Sequence, residues 1–168
     1  MKCNLRKLQE KDAEYMLEWM HDEVVTSGLR KNFNNATLET CIKFINSCQD
    51  MKYDAHLAIV DNNDEYLGTV SLKNIHNKCA EFAIVIRQKA MGKGIAAEAM
   101  KQIIKFGFEE LDIDEIFWCV VRADKRAVRF YEKNGYHRFN YSYDEMLNRG
   151  GEYNHVEYDM RDWFQVLK

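Results

Sequence analysis

The sequence predicts a mixed α/β domain of the α+β type, with seven strands in a sheet and four helices around it. Two patterns support this prediction: apolar runs of strand length bounded by turn-forming residues, and four segments whose apolar residues recur with helical spacing. A third observation is residues 84–100, where an apolar strand runs into a glycine-containing turn that opens directly into an amphipathic helix. With 168 residues and no linker, repeat or low-complexity segment, we expect a single domain over residues 1–168.

The first part of the chain predicts one strand and two helices. Residues 3–8 alternate apolar and polar side chains, as a short strand does. From Asp12 the spacing becomes helical, with apolar residues at i, i+3, i+4 and i+7. Residues 23–35 keep no period and predict a loop or a broken helix. Thr37 is a suitable N-cap for a second helix, whose apolar stripe includes Cys41 and Ile45.

Six further strands and two helices follow. Residues 55–60, 66–74 and 79–86 predict three strands, with Gly68 as a possible bulge. A helix begins near Ile95, after the glycine turn. The remaining elements are a continuously apolar strand at 116–121 that we expect to be central and covered on both faces, a short helix within 124–136, and a final hairpin of residues 136–143 and 153–159.

The composition excludes several classes of protein. With 46% hydrophobic and 30% charged residues the chain is globular, and a net charge of −3 gives no general attraction for nucleic acid. No apolar run approaches the roughly 18 residues of a membrane span, and the basic start of the chain is not followed by the apolar core of a signal peptide. We therefore expect a cytoplasmic protein without nucleic-acid or membrane partners, as a monomer or homodimer.

Neither the cysteines nor the histidines indicate a metal site. The five histidines lack metal-ligand spacing, and the five cysteines are scattered without a C-x-x-C pair. We predict buried or half-buried free thiols at Cys3, Cys41, Cys48, Cys79 and Cys119.

The glycine turn is a candidate phosphate site. Gly92 and Gly94 let the backbone approach a ligand closely, and the N–H groups of residues 92–97 stand at the positive end of a helix. Lys93 and Lys89 add positive charge nearby. On spacing alone, a plain strand-to-helix turn is an equally good interpretation. The turn lacks the Lys-Ser/Thr of a P-loop and the third glycine of a dinucleotide fingerprint.

Two motifs resemble the acetyl-CoA-binding core of the GNAT superfamily of N-acetyltransferases. Residues 91–96, Met-Gly-Lys-Gly-Ile-Ala, are similar to its Gln/Arg-x-x-Gly-x-Gly/Ala turn, with Met91 in place of Gln or Arg. Residues 124–136 resemble its Asn-x-x-Ala/Ser-x-x-x-Tyr-x-x-x-Gly-Phe pattern, with Asp124 in place of Asn and Tyr136 in place of Phe. Residues 18–22 and the opening strand are most similar to the ribosomal-protein-alanine and amino-sugar acetyltransferase branch.

The resemblance implies a fold, a cofactor and its ligands. The implied fold is a largely antiparallel seven-stranded sheet, splayed at its centre and flanked by four helices. The implied cofactor is acetyl-CoA, and a backbone N–H of the 85–86 region would stabilise the oxyanion. The residues expected to hold the cofactor are Ile84, Val85, Ile86, Met91, Gly92, Lys93, Gly94, Ile95, Ala96, Ala97, Asp124 and Tyr131.

Acyl transfer to an amine needs a base and an acid. An alkyl ammonium titrates near ~10 and must lose a proton, and the departing thiolate must gain one. Tyr131 is the candidate acid, although its helical spacing also fits a core tyrosine. Glu81 is the candidate base, with a solvated strand end as an equal alternative. Asp124 most simply caps the helix that follows it.

The acceptor is expected over Tyr15, Trp19 and the 23–35 loop, where Arg30 and Phe33 could meet a phosphate or a sugar ring. A solvated loop would explain the same residues. An amino-sugar nucleotide and a protein N-terminal amine are both candidate acceptors, and a polyamine is less favoured because the loop is basic. We expect direct attack without a covalent enzyme intermediate. The alternative function is a non-catalytic acyl-CoA-binding sensor or scaffold.

Overall fold

The computed structural model describes residues 2–168, and this part of the chain forms seven strands and seven α-helices. The strands are β1 (Asn4–Lys7), β2 (Ala55–Val60), β3 (Tyr66–His76), β4 (Cys79–Ile86), β5 (Glu115–Val121), β6 (His137–Arg138) and β7 (Arg161–Leu167). The helices are α1 (Ala13–Met20), α2 (Glu23–Thr26), α3 (Leu38–Ser47), α4 (Ile95–Glu110), α5 (Lys125–Lys133), α6 (Tyr143–Asn148) and α7 (His155–Asp159).

The strands form one mixed sheet in the order β1-β2-β3-β4-β5-β7-β6. The pairs β1–β2, β5–β7 and β6–β7 are antiparallel, whereas β4 and β5 are parallel and connected through α4. The parallel register runs only from Cys79↔Glu115 to Glu81↔Phe117, although β5 continues to Val121. The predicted mixed fold with seven strands is confirmed.

The chain divides into two compact units. The first unit contains the residues up to Ser71 together with Ile84–Ile103, and the second contains Leu72–Ala83 together with Ile104–Lys168. The divisions fall within β3, β4 and α4, so these three elements contribute to both units. The expected single domain over residues 1–168 stays a prediction.

The first unit has an apolar core around Tyr66. This tyrosine is fully buried, and its hydroxyl accepts a hydrogen bond from Trp19 Nε1 at 3.0 Å and lies 2.6 Å from Thr69 Oγ1. Both polar groups are therefore satisfied inside the core, as buried hydroxyls and indoles require. The other buried members of this core are Leu8, Ala13, Met16, Val25, Cys41, Ile45, Cys48, Ala58 and Val60.

The second unit is built around β5, which is buried on both faces as predicted. Residues 116–118 are at most 1% exposed. On one face Phe117 stacks against Trp163, with ring centroids 6.3 Å apart. On the other face Trp118 meets Phe82 edge-on at 5.5 Å. Successive residues of a strand point to opposite faces, so this alternation divides the side chains of the unit into two sets.

The predicted final hairpin is wrong in its bounds, and the predicted number of helices is too small. Residues 143–148 and 155–159 are helical, and the strands that pair are β6 and β7. The reason is local capping: Ser142 with Glu145, and Asn154 with Glu157, each form a capping box that starts a helix. The 23–35 segment contains the short α2, which agrees with the predicted broken helix.

Three further findings concern cysteines, metals and membranes. All five cysteines are free thiols, four of them buried and Cys119 half-buried, which confirms the prediction. Within residues 2–168 no three His, Cys, Asp or Glu side chains are grouped so as to hold a metal ion. None of the helices in the same residues combines the length and apolarity needed to cross a bilayer.

Candidate active site

In the first unit, the glycine turn has a backbone that favours glycine. Gly92 and Gly94 have φ angles of 73° and 77°, in the left-handed region. A Cβ built on either residue would meet nothing within 4 Å, so the requirement is conformational rather than spatial. Both glycines and Lys93 are exposed, whereas the next residue, Ile95, is buried. The turn thus presents its backbone to the surface while the helix behind it is fixed in the core.

The first turn of α4 leaves N–H groups without helical partners. The Glu98 N–H donates to the Gly94 carbonyl at 3.2 Å and begins the helical ladder. The N–H groups of residues 95–97 precede that bond, and an α-helix gives them no acceptor of its own. The macrodipole of this 16-residue helix adds positive potential at the same end. This geometry can bind a phosphate group through the backbone.

Met91 takes a structural role in this turn. Its side chain is half-buried and packs against the apolar core of the first unit. Met91 occupies the position where the GNAT motif has Gln or Arg. Its apolar side chain packs the turn against the core. The contact of Met91 with the cofactor, which the resemblance implies, stays a prediction.

Below the turn lies a buried arginine that the sequence reasoning missed. Arg87 is 4% exposed, and it follows β4 immediately. Its Nε and Nη2 donate to the two oxygens of Glu18 at 3.1 and 2.9 Å, and its Nη1 donates to Glu65 at 2.8 Å. Its guanidinium also lies 4.3 Å from the centroid of the Tyr15 ring. We call these four residues the Arg87 anchor.

The end of β4 approaches β3 very closely. A Cβ at Gly68 would lie 2.2 Å from the Val85 carbonyl oxygen, so only glycine fits at this position. The three candidate cofactor residues at this end of β4 are half-buried: Ile84, Val85 and Ile86. Gly68 was predicted as a possible bulge, and the structure gives it a reason in close backbone contact.

The candidate acceptor residues of the first unit are largely packed together. Trp19 is 4% exposed, and Phe33 meets it edge-on at 5.0 Å. The ammonium of Lys31 lies 5.5 Å from the Phe33 ring, and Arg30 is on the exposed part of the same loop. Tyr15 stacks on Tyr66 and is half-buried. Trp19 therefore supports Phe33 from the core rather than lining a surface itself.

In the second unit, Tyr131 combines a packed ring with an unengaged hydroxyl. Its ring lies 5.3 Å from Trp118 and 5.1 Å from Phe164 in centroid distance. Within residues 2–168 the hydroxyl has no hydrogen-bond partner. Burial raises the pKa of this tyrosine above its ordinary value, so the hydroxyl keeps its proton at neutral pH. Asp124 accepts the Ala127 N–H at 3.1 Å and caps α5, as predicted.

Glu81 is a buried carboxylate, which makes the alternative of a solvated strand end wrong. It is 4% exposed, and its Oε1 lies 3.3 Å from the ammonium of Lys73. Its Oε2 has no hydrogen-bond partner among the described residues. Glu81 precedes Phe82, whose ring is on the Trp118 and Tyr131 face, so Glu81 points to the opposite face.

Tyr153 and Cys119 lie near Glu81 on the same face. Burial raises the pKa of Tyr153, and the nearby Glu81 carboxylate raises it further. Burial also raises the pKa of Cys119, to about 12, so this residue is a thiol rather than a thiolate. Cys119 is therefore a poor nucleophile at neutral pH.

The sequence was compared with models of known protein families. The family described as the acetyltransferase (GNAT) domain matches residues 2–137. This chain is a member of the GNAT acetyltransferase family. The GNAT-like turn, the capped α5 and its tyrosine all fall within the matched residues. The resemblance identified from the sequence is confirmed.

Individual GNAT relatives are distant in sequence. Spermidine N(1)-acetyltransferase of Escherichia coli K12 is 30% identical over 93 residues, which span half of this chain and half of that protein. Acetyltransferase PseH of Campylobacter jejuni is 22% identical over 132 residues, covering 78% of this chain and 80% of that protein. A solved structure of Vibrio cholerae spermidine N-acetyltransferase with CoA and spermine superposes with a TM-score of 0.79 at 19% identity, covering 98% and 95% of the two chains. This likeness confirms the GNAT fold.

Three polar residues between β6 and β7 are held by contacts within the protein. The Tyr141 hydroxyl donates to Glu115 at 2.7 Å and is buried. The Tyr143 hydroxyl donates to the Tyr153 carbonyl at 2.9 Å, and Asn154 caps α7. These contacts join residues that are distant in sequence, and no local pattern in the chain could have indicated them.

Proposed function

We propose that the chain transfers an acetyl group from acetyl-CoA to a primary amine by direct attack. The observation that carries this proposal is the exposed, left-handed glycine turn directly before the first turn of α4, in a chain of the GNAT family. Bound acetyl-CoA supplies an activated acetyl thioester. The N–H groups of residues 92–97 would hold its diphosphate, and the exposed Lys93 would add charge. Ile84, Val85, Ile86 and Asp124 are proposed as further contacts of the coenzyme.

Tyr131 is the proposed acid. An acid must be protonated before it acts, and burial holds the Tyr131 hydroxyl in that state. Its oxygen has no protein partner within residues 2–168, so its proton is not committed to another group. We propose that Tyr131 gives this proton from Oη to the sulfur of the departing thiol.

Glu81 is the proposed base. The amine arrives as an ammonium ion and must lose a proton to become a nucleophile. Glu81 offers an unpartnered carboxylate oxygen, Oε2, while its Oε1 lies 3.3 Å from the ammonium of Lys73. A buried polar atom without a partner is unfavourable, so an ammonium or a relaying water at Oε2 would remove a cost that the free protein bears.

The acceptor is proposed as an amino-sugar nucleotide or a protein N-terminal amine. Such acceptors carry a single ammonium at the reacting end. Lys73, 3.3 Å from Glu81 Oε1, would repel additional positive charges on an acceptor at Glu81. A polyamine is the second candidate, because the E. coli relative that is 30% identical over 93 residues is named spermidine N(1)-acetyltransferase.

The test is a calorimetric titration with coenzyme A, followed by thiol release from acetyl-CoA with a panel of amines. The panel contains an amino-sugar nucleotide, a peptide with a free N-terminus and spermidine, with an amine-free reaction as control. We expect binding and turnover with at least one amine. Binding without turnover on any amine would favour the sensor, and absence of binding would overturn the proposal.

A further inference from the structure

We propose that Arg87 is a positioning residue for the diphosphate turn, which holds residues 91–94 in place without touching the coenzyme. This inference rests on the proposed function, because it assigns a role in binding coenzyme A. It concerns a side chain that belongs to neither of the motifs that identified the family.

The side chain of Arg87 is held at every edge of its guanidinium. Two donors form a fork with the Glu18 carboxylate, at 3.1 and 2.9 Å, and Nη1 donates to Glu65 at 2.8 Å and to the Tyr66 carbonyl at 2.7 Å. The face of the group stacks on Tyr15 at 4.3 Å. A planar guanidinium bound at several edges and one face has very little freedom to move.

The backbone of Arg87 transmits this fixation to the turn. Its N–H donates to the Leu67 carbonyl at 2.8 Å, which ties the residue to β3. Its carbonyl accepts the Ala90 N–H at 2.9 Å, and the Gln88 carbonyl accepts the Met91 N–H at 3.1 Å. These bonds form the tight 3₁₀ turn Gln88–Ala90, which ends two residues before Gly92. A shift of Arg87 would therefore displace the start of the glycine turn.

The charges of the anchor show that Arg87 acts through position rather than by attracting phosphate itself. Its side chain is only 5% exposed, and it faces two carboxylates. Lys89 also pairs with Glu65, so two cations and two anions balance within this group. The hydrogen bond from Lys89, and then that from Arg87, lower the pKa of Glu65, which keeps it charged at neutral pH.

Removal of Arg87 should leave a folded protein. The side chains of Glu18 and Glu65 are 52% and 30% exposed, so water can solvate both carboxylates when the guanidinium is absent. The turn would keep its glycines, α4 and the Met91 packing, but it would lose the group that fixes its entry. The buried Tyr66 carbonyl would lose a donor, so we expect a lower melting temperature in a protein that still folds, together with the defect in coenzyme binding.

The test compares Arg87→Met with a matched control, Arg149→Met. Arg149 in the second unit also combines a carboxylate with a tyrosine ring: its Nε is 2.8 Å from Glu115, and its guanidinium lies 4.6 Å from the Tyr141 ring. It belongs to neither the glycine turn nor the proposed catalytic pair. Coenzyme A affinity is measured by calorimetry, and kcat/KM is measured with acetyl-CoA and with acetylpantetheine, which lacks the diphosphate.

We expect Arg87→Met to weaken coenzyme A binding about tenfold and to lower kcat/KM for acetyl-CoA by a similar factor. Turnover of acetylpantetheine should stay within about twofold of the wild type. General destabilisation of the protein would instead lower the turnover of both substrates. Arg87→Lys, which keeps the charge without the fork, should recover only part of the affinity. Arg149→Met should bind coenzyme A like the wild type.

The outcomes separate this inference from the proposed function. If the wild-type protein binds no coenzyme A, the proposed function fails first. If the wild type and Arg87→Met bind coenzyme A equally well, Arg87 does not position the turn. The same conclusion follows if Arg87→Met lowers kcat/KM equally for acetyl-CoA and for acetylpantetheine.

Discussion

At the scale of single residues, Tyr131 satisfies two interpretations that the sequence left open. Its ring packs in an aromatic cluster with Trp118 and Phe164, as a core tyrosine would. Its hydroxyl lacks a hydrogen-bond partner within residues 2–168, as a proton donor awaiting a substrate would. The residue is half-buried, so the hydroxyl stands at the edge of the cluster, where it is free to meet a substrate.

Tyr131→Phe should lower kcat roughly 10²-fold or more, because the proton donor is lost while the ring remains. The melting temperature should change little, since no protein hydrogen bond disappears. Tyr136→Phe is the matched control, because its ring belongs to the same cluster, 5.2 Å from Trp118. Thiol release and thermal melts measure both effects. Unchanged turnover in Tyr131→Phe would exclude it as the acid.

Glu81→Gln should lower kcat/KM about 10- to 100-fold near pH 7, because the amide cannot accept a proton. The loss should shrink as the pH rises towards the amine's own pKa near ~10, where the nucleophile is already deprotonated. Lys73 is 37% exposed and can be hydrated when its partner is neutral. Glu115→Gln serves as control for loss of a half-buried carboxylate. A pH-independent defect would contradict the role of Glu81 as base.

At the scale of elements, the glycine turn and α4 act as one unit because the turn fixes where the helix begins. Gly94→Ala forces a non-glycine residue to a φ of 77°, at a cost of roughly 1–2 kcal/mol. We expect a lower melting temperature and weaker coenzyme A binding in calorimetry. Gly28→Ala is the control, since Gly28 has no positive φ and its added Cβ would also meet nothing. Equal behaviour of the two variants would mean that the turn tolerates alanine.

Helices and strands were predicted correctly where a short stretch of sequence determines them. The bounds of β2 and β4 agree with the predicted 55–60 and 79–86, because apolar runs report burial directly. Thr37 and Asp124 were correctly identified as N-caps because a cap and the backbone N–H that it accepts lie only three residues apart. The final hairpin failed because tyrosines at alternate positions imitate a strand, whereas capping boxes began helices there.

At the scale of the whole molecule, the parts of the candidate site that are contiguous in sequence could be predicted. The parts that folding brings together from distant positions could not. The glycine turn and the Tyr131 motif are each contiguous. The Arg87 anchor joins residues 69 and 22 positions apart, and Glu81 meets Lys73 only through the pairing of strands. The local spacing of residues does not indicate such partners. An arginine directly after an apolar strand, such as Arg87, was the one local sign of a buried ion pair.

Stability should fall at acidic pH through several carboxylates. Burial disfavours the charge on Glu115, but hydrogen bonds from Tyr141, Arg149 and Gln165 outweigh it and lower its pKa. Hydrogen bonds from Lys89 and Arg87 lower the pKa of Glu65. A lowered folded-state pKa stabilises the protein above the unfolded value near ~4.3, and this stability is lost as the pH falls through the folded value.

Thermal melts at pH 7, 5, 4 and 3 should therefore show a steep loss of melting temperature below about pH 5. Glu115→Gln should flatten this dependence. Glu39→Gln, at a site with 78% side-chain exposure, should leave it unchanged. Identical slopes in all three proteins would contradict the assignment.

The state of the cysteines has a practical consequence. Burial raises the pKa of Cys79 and Cys119 to about 12 and also raises that of Cys3, Cys41 and Cys48. Thiolates are the reactive form, so chromogenic disulfide reagents should leave the folded polypeptide colourless at neutral pH. Colour that develops during a reaction would then report the liberated product alone, without correction for the protein.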